Sequence, residues 1–455
     1  MATPTSRRLL SSVERTGKVN RRDFFRAAGV AAGSAALSSS LGRYASAGLK
    51  RRPKIGVVFT EFRYMSHAHV ILENFLEDYL FNGELTDPGV DVASFYAAQL
   101  PSGEMSKKVA ADYGIPMFDS IDEALCLGGK ELAVDAVLSI GEHGNYPENE
   151  LGQRMYPRKQ FFDQIVAVMK RSNRFVPLFN DKHLSYRWDW AKEMYDTTAE
   201  LGIPFMAGSS VPLAQRQPEF ELPAGAEFAE AVAIHGGGVE SYDFHALELL
   251  QSMIENRKGG ETGVSRVRFL DTEALWKAAD DGLWSVPVAK AAVEAELGRQ
   301  VADLRAELEK PEQMHGVLVE YKDGFRALAL KWGSSSTRWN FGCRLKGEEK
   351  IRATALYVGP WRNRNLFKAL SHAIQHHFIH GEAPYPVERT LLVTGILDAS
   401  MHSRHESGKP LATPELEFAY KAKDFRAFRE NGASWKIITE DVPEPPGINP
   451  NGDKK

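Results

Sequence analysis

The sequence predicts an α/β chain in two parts. A doubly wound parallel sheet spans about 54–212, and an α+β region with a mostly antiparallel sheet spans about 213–385. Three observations carry this. Lys54–Phe59 and Val134–Ile140 are short apolar runs of the kind that form strands buried on both faces. Segments with helical spacing alternate with such runs, as in βαβ units. After Pro212 the pattern changes to alternating strands, with Lys322-Asp323-Gly324 as a hairpin turn.

The elements follow in order. Strands are expected at 54–59, 90–96, 134–140, 175–179 and from 204. Helices are expected at 68–81, 105–113, 120–125, 161–169 and 188–201. Ser120 caps one of them, with acidic residues in its first turn, and Gly202 ends another. Further strands are expected at 227–235, 264–270, 317–321, 325–330, 338–345 and 351–357. The helices of this part are placed at 244–254, 283–309, 364–379 and 387–402. The final helices, within 386–440, are expected to return to the first domain. The tail 441–455 is rich in Pro, Gly, Asn and charge and reads as disordered.

Composition excludes several classes. The chain has 455 residues, 43% hydrophobic and 25% charged, as globular proteins do. Two cysteines, Cys126 and Cys343, cannot build a disulfide framework or a Cys-rich metal site. Net charge is −4, which argues against nucleic acid as a general partner.

Residues 1–47 read as an address. Asn20-Arg21-Arg22-Asp23-Phe24-Phe25-Arg26 resembles a twin-arginine export signal. A weakly apolar Ala/Gly/Ser stretch and Ala45-Ser46-Ala47, an A-x-A cleavage pattern, follow it. The expected location is the periplasm or the exterior, with the export machinery as one partner. Without those residues the chain carries 48 basic and 58 acidic groups. That pathway moves folded proteins, which suggests a cofactor loaded before export.

Ligands of open α/β sheets sit outside the carboxyl ends of the strands. Those ends lead into Glu61, Arg63, Tyr64, His67 and His69, then Glu142, His143, Asn145 and Tyr146, then Asn180, Asp181, Lys182 and His183. The second part adds Tyr242, Asp243 and His245. One crevice is therefore offered many ionisable groups. A histidine with an ordinary pKa suits proton transfer near neutrality, and a lysine suits a developing negative oxygen.

Several motifs resemble the Gfo/Idh/MocA family, that of glucose–fructose oxidoreductase and inositol dehydrogenase. Asp119–Leu125 followed by Val134–Val137 looks like its helix and strand leading to the cofactor cleft. Phe179-Asn180-Asp181-Lys182-His183 stands where the family has Glu-Lys-Pro after a strand. Gly237-Gly238 through Asp243-Phe244-His245 to Glu248 resembles its Gly-Gly…Asp-x-x-x-His-x-x-Asp segment. Gly381–Pro386 and Thr394–Ala399 read like its last helices.

The resemblance implies a Rossmann-like nucleotide-binding domain and a substrate and oligomerisation domain. It implies an oxidoreductase acting on a sugar or sugar derivative, with NAD or NADP tightly bound and a homo-oligomeric state. Lys182, His245 and Tyr242 take the catalytic positions, and Thr60, Phe62, Arg63, Gly141, Glu142 and Asp181 the cofactor-binding ones. The sequence departs from the family in the turn after the first strand, Phe59–His67, which has no glycine for a pyrophosphate. Ser241 also replaces the usual acid before the histidine. A second reading is therefore open: a divalent metal on His67, Glu142, His143, His183 and His245. This would serve a non-redox sugar lyase, isomerase or hydrolase. A carbohydrate-binding protein without activity is the third.

Overall fold

A computed structural model describes residues 51–307, 314–445 and 448. The export signal expected at 1–47 lies outside the described residues. The first part contains β1 (Lys54–Phe59), α1 (His67–Leu76), β2 (Tyr79–Phe81), β3 (Glu84–Thr86), β4 (Asp91–Ala97) and α2 (Ser106–Tyr113). It continues with β5 (Met117–Phe118), α3 (Ile121–Cys126), β6 (Ala136–Ile140), α4 (Arg158–Arg171), β7 (Leu178–Asp181), α5 (Trp188–Leu201) and β8 (Phe205–Gly208). Six of these strands form one sheet in the order β5-β4-β1-β6-β7-β8, every pair parallel. Alternation within β1 explains its wholly apolar sequence. Ile55, Val57 and Phe59 face one core and Val58 faces the other, so both faces are dry.

The second part contains β9 (Gln215–Gln217), β10 (Phe228–His235), α6 (Ser241–Ile254), β11 (Val264–Asp271), α7 (Thr272–Asp280) and α8 (Val286–Leu297). Then come β12 (His315–Tyr321), β13 (Arg326–Lys331), β14 (Trp339–Leu345), β15 (Ile351–Tyr357), α9 (Asn363–His380), α10 (Val387–His405) and β16 (Leu411–Ala412). The eight-stranded sheet runs β16-β11-β12-β13-β10-β14-β15-β9. Only β10 with β13 is parallel among its pairs.

Several expectations need correction. The helix expected at 68–81 stops at Leu76, and a small hairpin, β2 with β3, follows it. The helix expected at 283–309 stops at Leu297, where Gly298 takes a left-handed φ of 62°. The helix α7 was not anticipated. With α8 it covers the face of the large sheet on which Val232, Ile234, Leu318 and Leu328 point, a face that could otherwise have met a second subunit. Part of the tail is also packed: the carbonyl of Val442 accepts from Trp361, and Glu444 pairs with Arg364. Beyond His405 no α-helix follows among the described residues; α9 rests on α1, and α10 lies between α6, β8 and β11.

Candidate active site

The site is a cavity of about 340 Å³ between the carboxyl ends of the parallel sheet and the start of α6. Lys182, His245 and Tyr242 all line it, together with His67, Glu142, His143, Trp339 and Phe367. Residues far apart in the chain meet here because β6 and β7 end at this edge, while α6 points its first turn at it.

Local sequence sets each position. β7 ends in Asp181, whose carboxylate lies 2.6 Å from Nδ1 of His67. Lys182 then turns to a φ of +66°, and its N–H donates to the carbonyl of Gly208 at the end of β8. His143 and Glu240, two more cavity residues, are also left-handed, at +72° and +66°. Non-glycine residues held there carry strain of order 1 kcal/mol each, and such strain gathers at functional sites. α6 starts with a capping box: Glu240 and Asp243 exchange side-chain bonds with each other's backbone N–H. Gly237 serves this start directly, since a Cβ there would lie 1.9 Å from the ring of Tyr242.

The charges are ordered. Lys182 Nζ is 3.2 Å from Glu142 Oε1 and donates to the carbonyl of Ser241 at 3.3 Å. The other oxygen of Glu142 takes a short contact from Arg158, which is itself fully buried. Burial opposes ionisation of Glu142, yet Lys182 and Arg158 hold its carboxyl well below the usual range. His245 is buried, and its Nδ1 lies 2.6 Å from the Ser209 hydroxyl. Burial, then the charges of Lys182 and His67, push its imidazole well below the ordinary histidine value. It is therefore neutral near pH 7 and has a nitrogen lone pair to offer. Burial and His67 likewise push His143 down to about 4.

The aromatic wall is built by stacking. Tyr242 lies parallel to Trp339, with centroids 5.3 Å apart and an interplanar angle of 8°, and His245 meets the same indole edge-on. Three neighbouring aromatics, Tyr186, Trp188 and Trp190, do not line this cavity; Trp188 stacks on Phe418.

The cofactor positions mostly have other work. Thr60 and Phe62 are fully buried: the Thr60 hydroxyl donates to the carbonyl of Glu142 at 2.5 Å, and Phe62 packs on Phe59 and Phe95. Gly141 makes room for Arg158, whose Cγ would be 2.7 Å from a Cβ there. Arg63 turns onto the buried carboxylate of Glu61, and Asp181 is engaged with His67. The backbone after β1 keeps pairing, with Thr60 N–H to Ile140 and Gln99 N–H to Thr60. Ser66 caps α1 with its own hydroxyl. A bulky, carboxylate-bearing turn already closed by backbone bonds does not fit a dinucleotide pyrophosphate.

The metal set is corrected as well. His67, Glu142, His143, His183 and His245 do not gather around one point. Among the described residues, the one close group of such ligands is His235, Asp243 and His315. There both Nε2 atoms lie 2.9 and 2.7 Å from a single oxygen of Asp243. Nδ1 of His235 accepts from the Gly237 N–H, so its proton sits on Nε2 and donates to Asp243. This is a hydrogen-bonded brace under α6, and it leaves His235 no lone pair for an ion at that nitrogen.

The sequence reading missed Arg158, Ser209, Trp339 and the brace. Ser209 was within reach of the strand-end rule, because it follows β8 directly. Nothing local marks Arg158 or Trp339.

A six-stranded parallel sheet followed by a large, mostly antiparallel sheet is the fold of the Gfo/Idh/MocA type. The chain has that fold. GenD2 from gentamicin A biosynthesis, solved with NAD, shares it at 14% identity over 82% of this chain and 99% of GenD2, with a TM-score of 0.52. Further matches include myo-inositol dehydrogenase of Corynebacterium glutamicum at 12% identity, 79% and 98% coverage and 0.48. Another is myo-inositol 2-dehydrogenase of Lactobacillus plantarum at 10%, 80% and 99%, and 0.48. No family profile matches the sequence, and no curated protein does.

Proposed function

We propose that the protein is an oxidoreductase-type enzyme that acts on a hydroxyl-bearing carbon of a sugar or sugar derivative. The observation that supports this most is the shared cleft of Lys182 and His245. Neutral His245 takes the hydroxyl proton, and Lys182 steadies the oxygen as it gains negative charge. Tyr242 and Trp339 supply a flat apolar wall of the kind that sugar rings stack on, and Glu142 and His143 border it. A nicotinamide cofactor, such as the NAD bound in GenD2, would supply the hydride acceptor. The turn after β1 does not provide its usual cradle, so no step is assigned through it.

A second reading is favoured by that same turn. The pair Lys182 and His245 can also remove a proton beside a sugar carbonyl, which serves isomerisation or elimination without hydride transfer. Protein purified from its native host and denatured in acid or alkali decides between them. Released NAD or NADP in near-stoichiometric amount supports oxidation; its absence, together with turnover of a sugar, supports the second. We further propose export by the twin-arginine route and removal of residues 1–47, and the mature N-terminus of the native protein tests this.

A further inference from the structure

A buried cluster of polar side chains packs around Gly208, next to the serine that faces His245. Its parts converge on Gly208. A Cβ placed there would be 2.9 Å from Thr390 Oγ1, 3.2 Å from Glu248 Oε2 and 3.5 Å from the ring of Tyr385. Ser209, the next residue, accepts from the Val211 N–H at 3.1 Å and faces Nδ1 of His245 at 2.6 Å. Glu248 is fully buried one helical turn beyond His245 on α6, and residues three apart share a helix face.

The carboxyl of Glu248 has no well-formed hydrogen bond, nor have the Tyr385 hydroxyl and the two terminal nitrogens of Arg389, but the Thr390 hydroxyl and the Ser209 backbone N–H lie close enough to favour its charged form. Arg389 spends its Nε on Glu255 at 3.1 Å and its flat face on Tyr385 and Phe425. The groups around Glu248 are thus Arg389, Tyr385 and Thr390 from α10 and the loop before it, Glu255 and His245 from α6, and Ser209 after β8. Tyr420 bonds Glu255 from beyond. Burial pushes Glu248 up to about 7; Arg389 and Thr390 oppose this, and Glu255 adds to it. A carboxyl buried this deep without a closed ion pair can change its charge near neutrality.

We propose that Glu248 is a positioning residue for His245, acting through Ser209. In its ionised form it steadies the imidazolium that arises when His245 takes a substrate proton. The proton moves from the substrate hydroxyl to the cleft-facing nitrogen of His245, whose Nδ1–H remains on the Ser209 oxygen. Glu248 exchanges no atom in the step and supplies only negative potential. This rests on the reading of His245 as the base, and the test below separates the two.

The probe is the protein itself, labelled with ¹⁵N in its histidine rings and titrated from pH 5 to 9. The His245 signal is assigned by its loss in His245→Ala. In the wild type that ring should stay neutral above pH 6.5 and still show a small inflection near pH 7. Glu248→Gln should abolish the inflection, and Ser209→Ala should reduce it at least twofold. Persistence of the inflection in Glu248→Gln, or its absence from the wild type, overturns the proposal and leaves His245 as the base. A His245 ring that protonates fully at or above pH 6.5 overturns the reading of a buried neutral base itself. Should Glu248→Gln fail to fold, Ser209→Ala carries the test: an inflection undiminished in that variant overturns the coupling.

Discussion

Lys182 Nζ and Glu142 Oε1 stand 3.2 Å apart in a cleft from which both are almost wholly shielded, at 3% and 5% exposure. The lysine proposed to steady an oxygen therefore already faces a buried carboxylate of the same chain. Arg158 balances the same carboxylate from the other side.

This arrangement links stability to activity. Lys182→Met should lower turnover by roughly 10²–10⁴-fold and also lower stability, because Glu142 loses one of its two cations. The double variant Lys182→Met with Glu142→Gln should be less stable still, because the buried Arg158 then loses its carboxylate, and turnover should not return. Urea unfolding of the two variants beside a turnover assay checks both halves.

His245→Ala should cost a similar factor in turnover with little change in melting temperature, since the ring's hydrogen bond is to a single serine hydroxyl. The wild-type rate at low substrate should rise with pH through an inflection below 6.5, because the free imidazole must be neutral to act. Full protonation of the ring above pH 6.5 would contradict its buried setting, whereas a small step near pH 7 belongs to Glu248.

Asp243 gives a stability prediction with a definite sign. Burial opposes its ionisation, but His315 and His235 hold its carboxyl far below the ordinary aspartate value. Its folded pKa lies below its unfolded one, so the brace stabilises the fold above about pH 4 and loses that contribution as pH falls further. Asp243→Asn should cost about 2–4 kcal/mol at pH 7 and flatten the acid limb of a stability profile. A chelator should leave the wild-type melting temperature unchanged.

Phe62 tests the turn after β1. As a core residue it should cost about 3–5 kcal/mol when replaced by alanine. Denaturant midpoints measured in protein stripped of small molecules decide this, because a residue serving only a bound group would then matter little.

Arg21 and Arg22 test the address. Replacing both with lysine should abolish export, and fractionation of the native host would show the protein retained with residues 1–47 attached.

Much of the architecture was legible in the chain. The parallel strands announced themselves by unbroken apolar runs, and the hairpin at 315–331 by Asp323-Gly324. Lys182 and His245 could be paired because each stands beside a strand end or helix start with a motif around it. Other parts left no local mark. Phe62 looked like a residue of an exposed turn, yet the backbone past Phe59 goes on pairing and carries it inward. The five metal candidates were chosen by type, but His67, Glu142, His183 and His245 each face another partner across the fold. His315 reaches Asp243 at the start of α6 across 72 residues of sequence, and periodicity is blind to this.

The segment 272–297 has a consequence for how this molecule responds to dilution. Leu275, Val288, Ala289 and Val293 already fill the outer face of the large sheet. That face is completed within one chain, so its burial is unimolecular and owes nothing to mass action. A partner arriving there would first have to peel away two helices, losing contacts before gaining any. Whatever association the protein undergoes must use other ground, and the integrity of this sheet should be the same at nanomolar as at millimolar concentration.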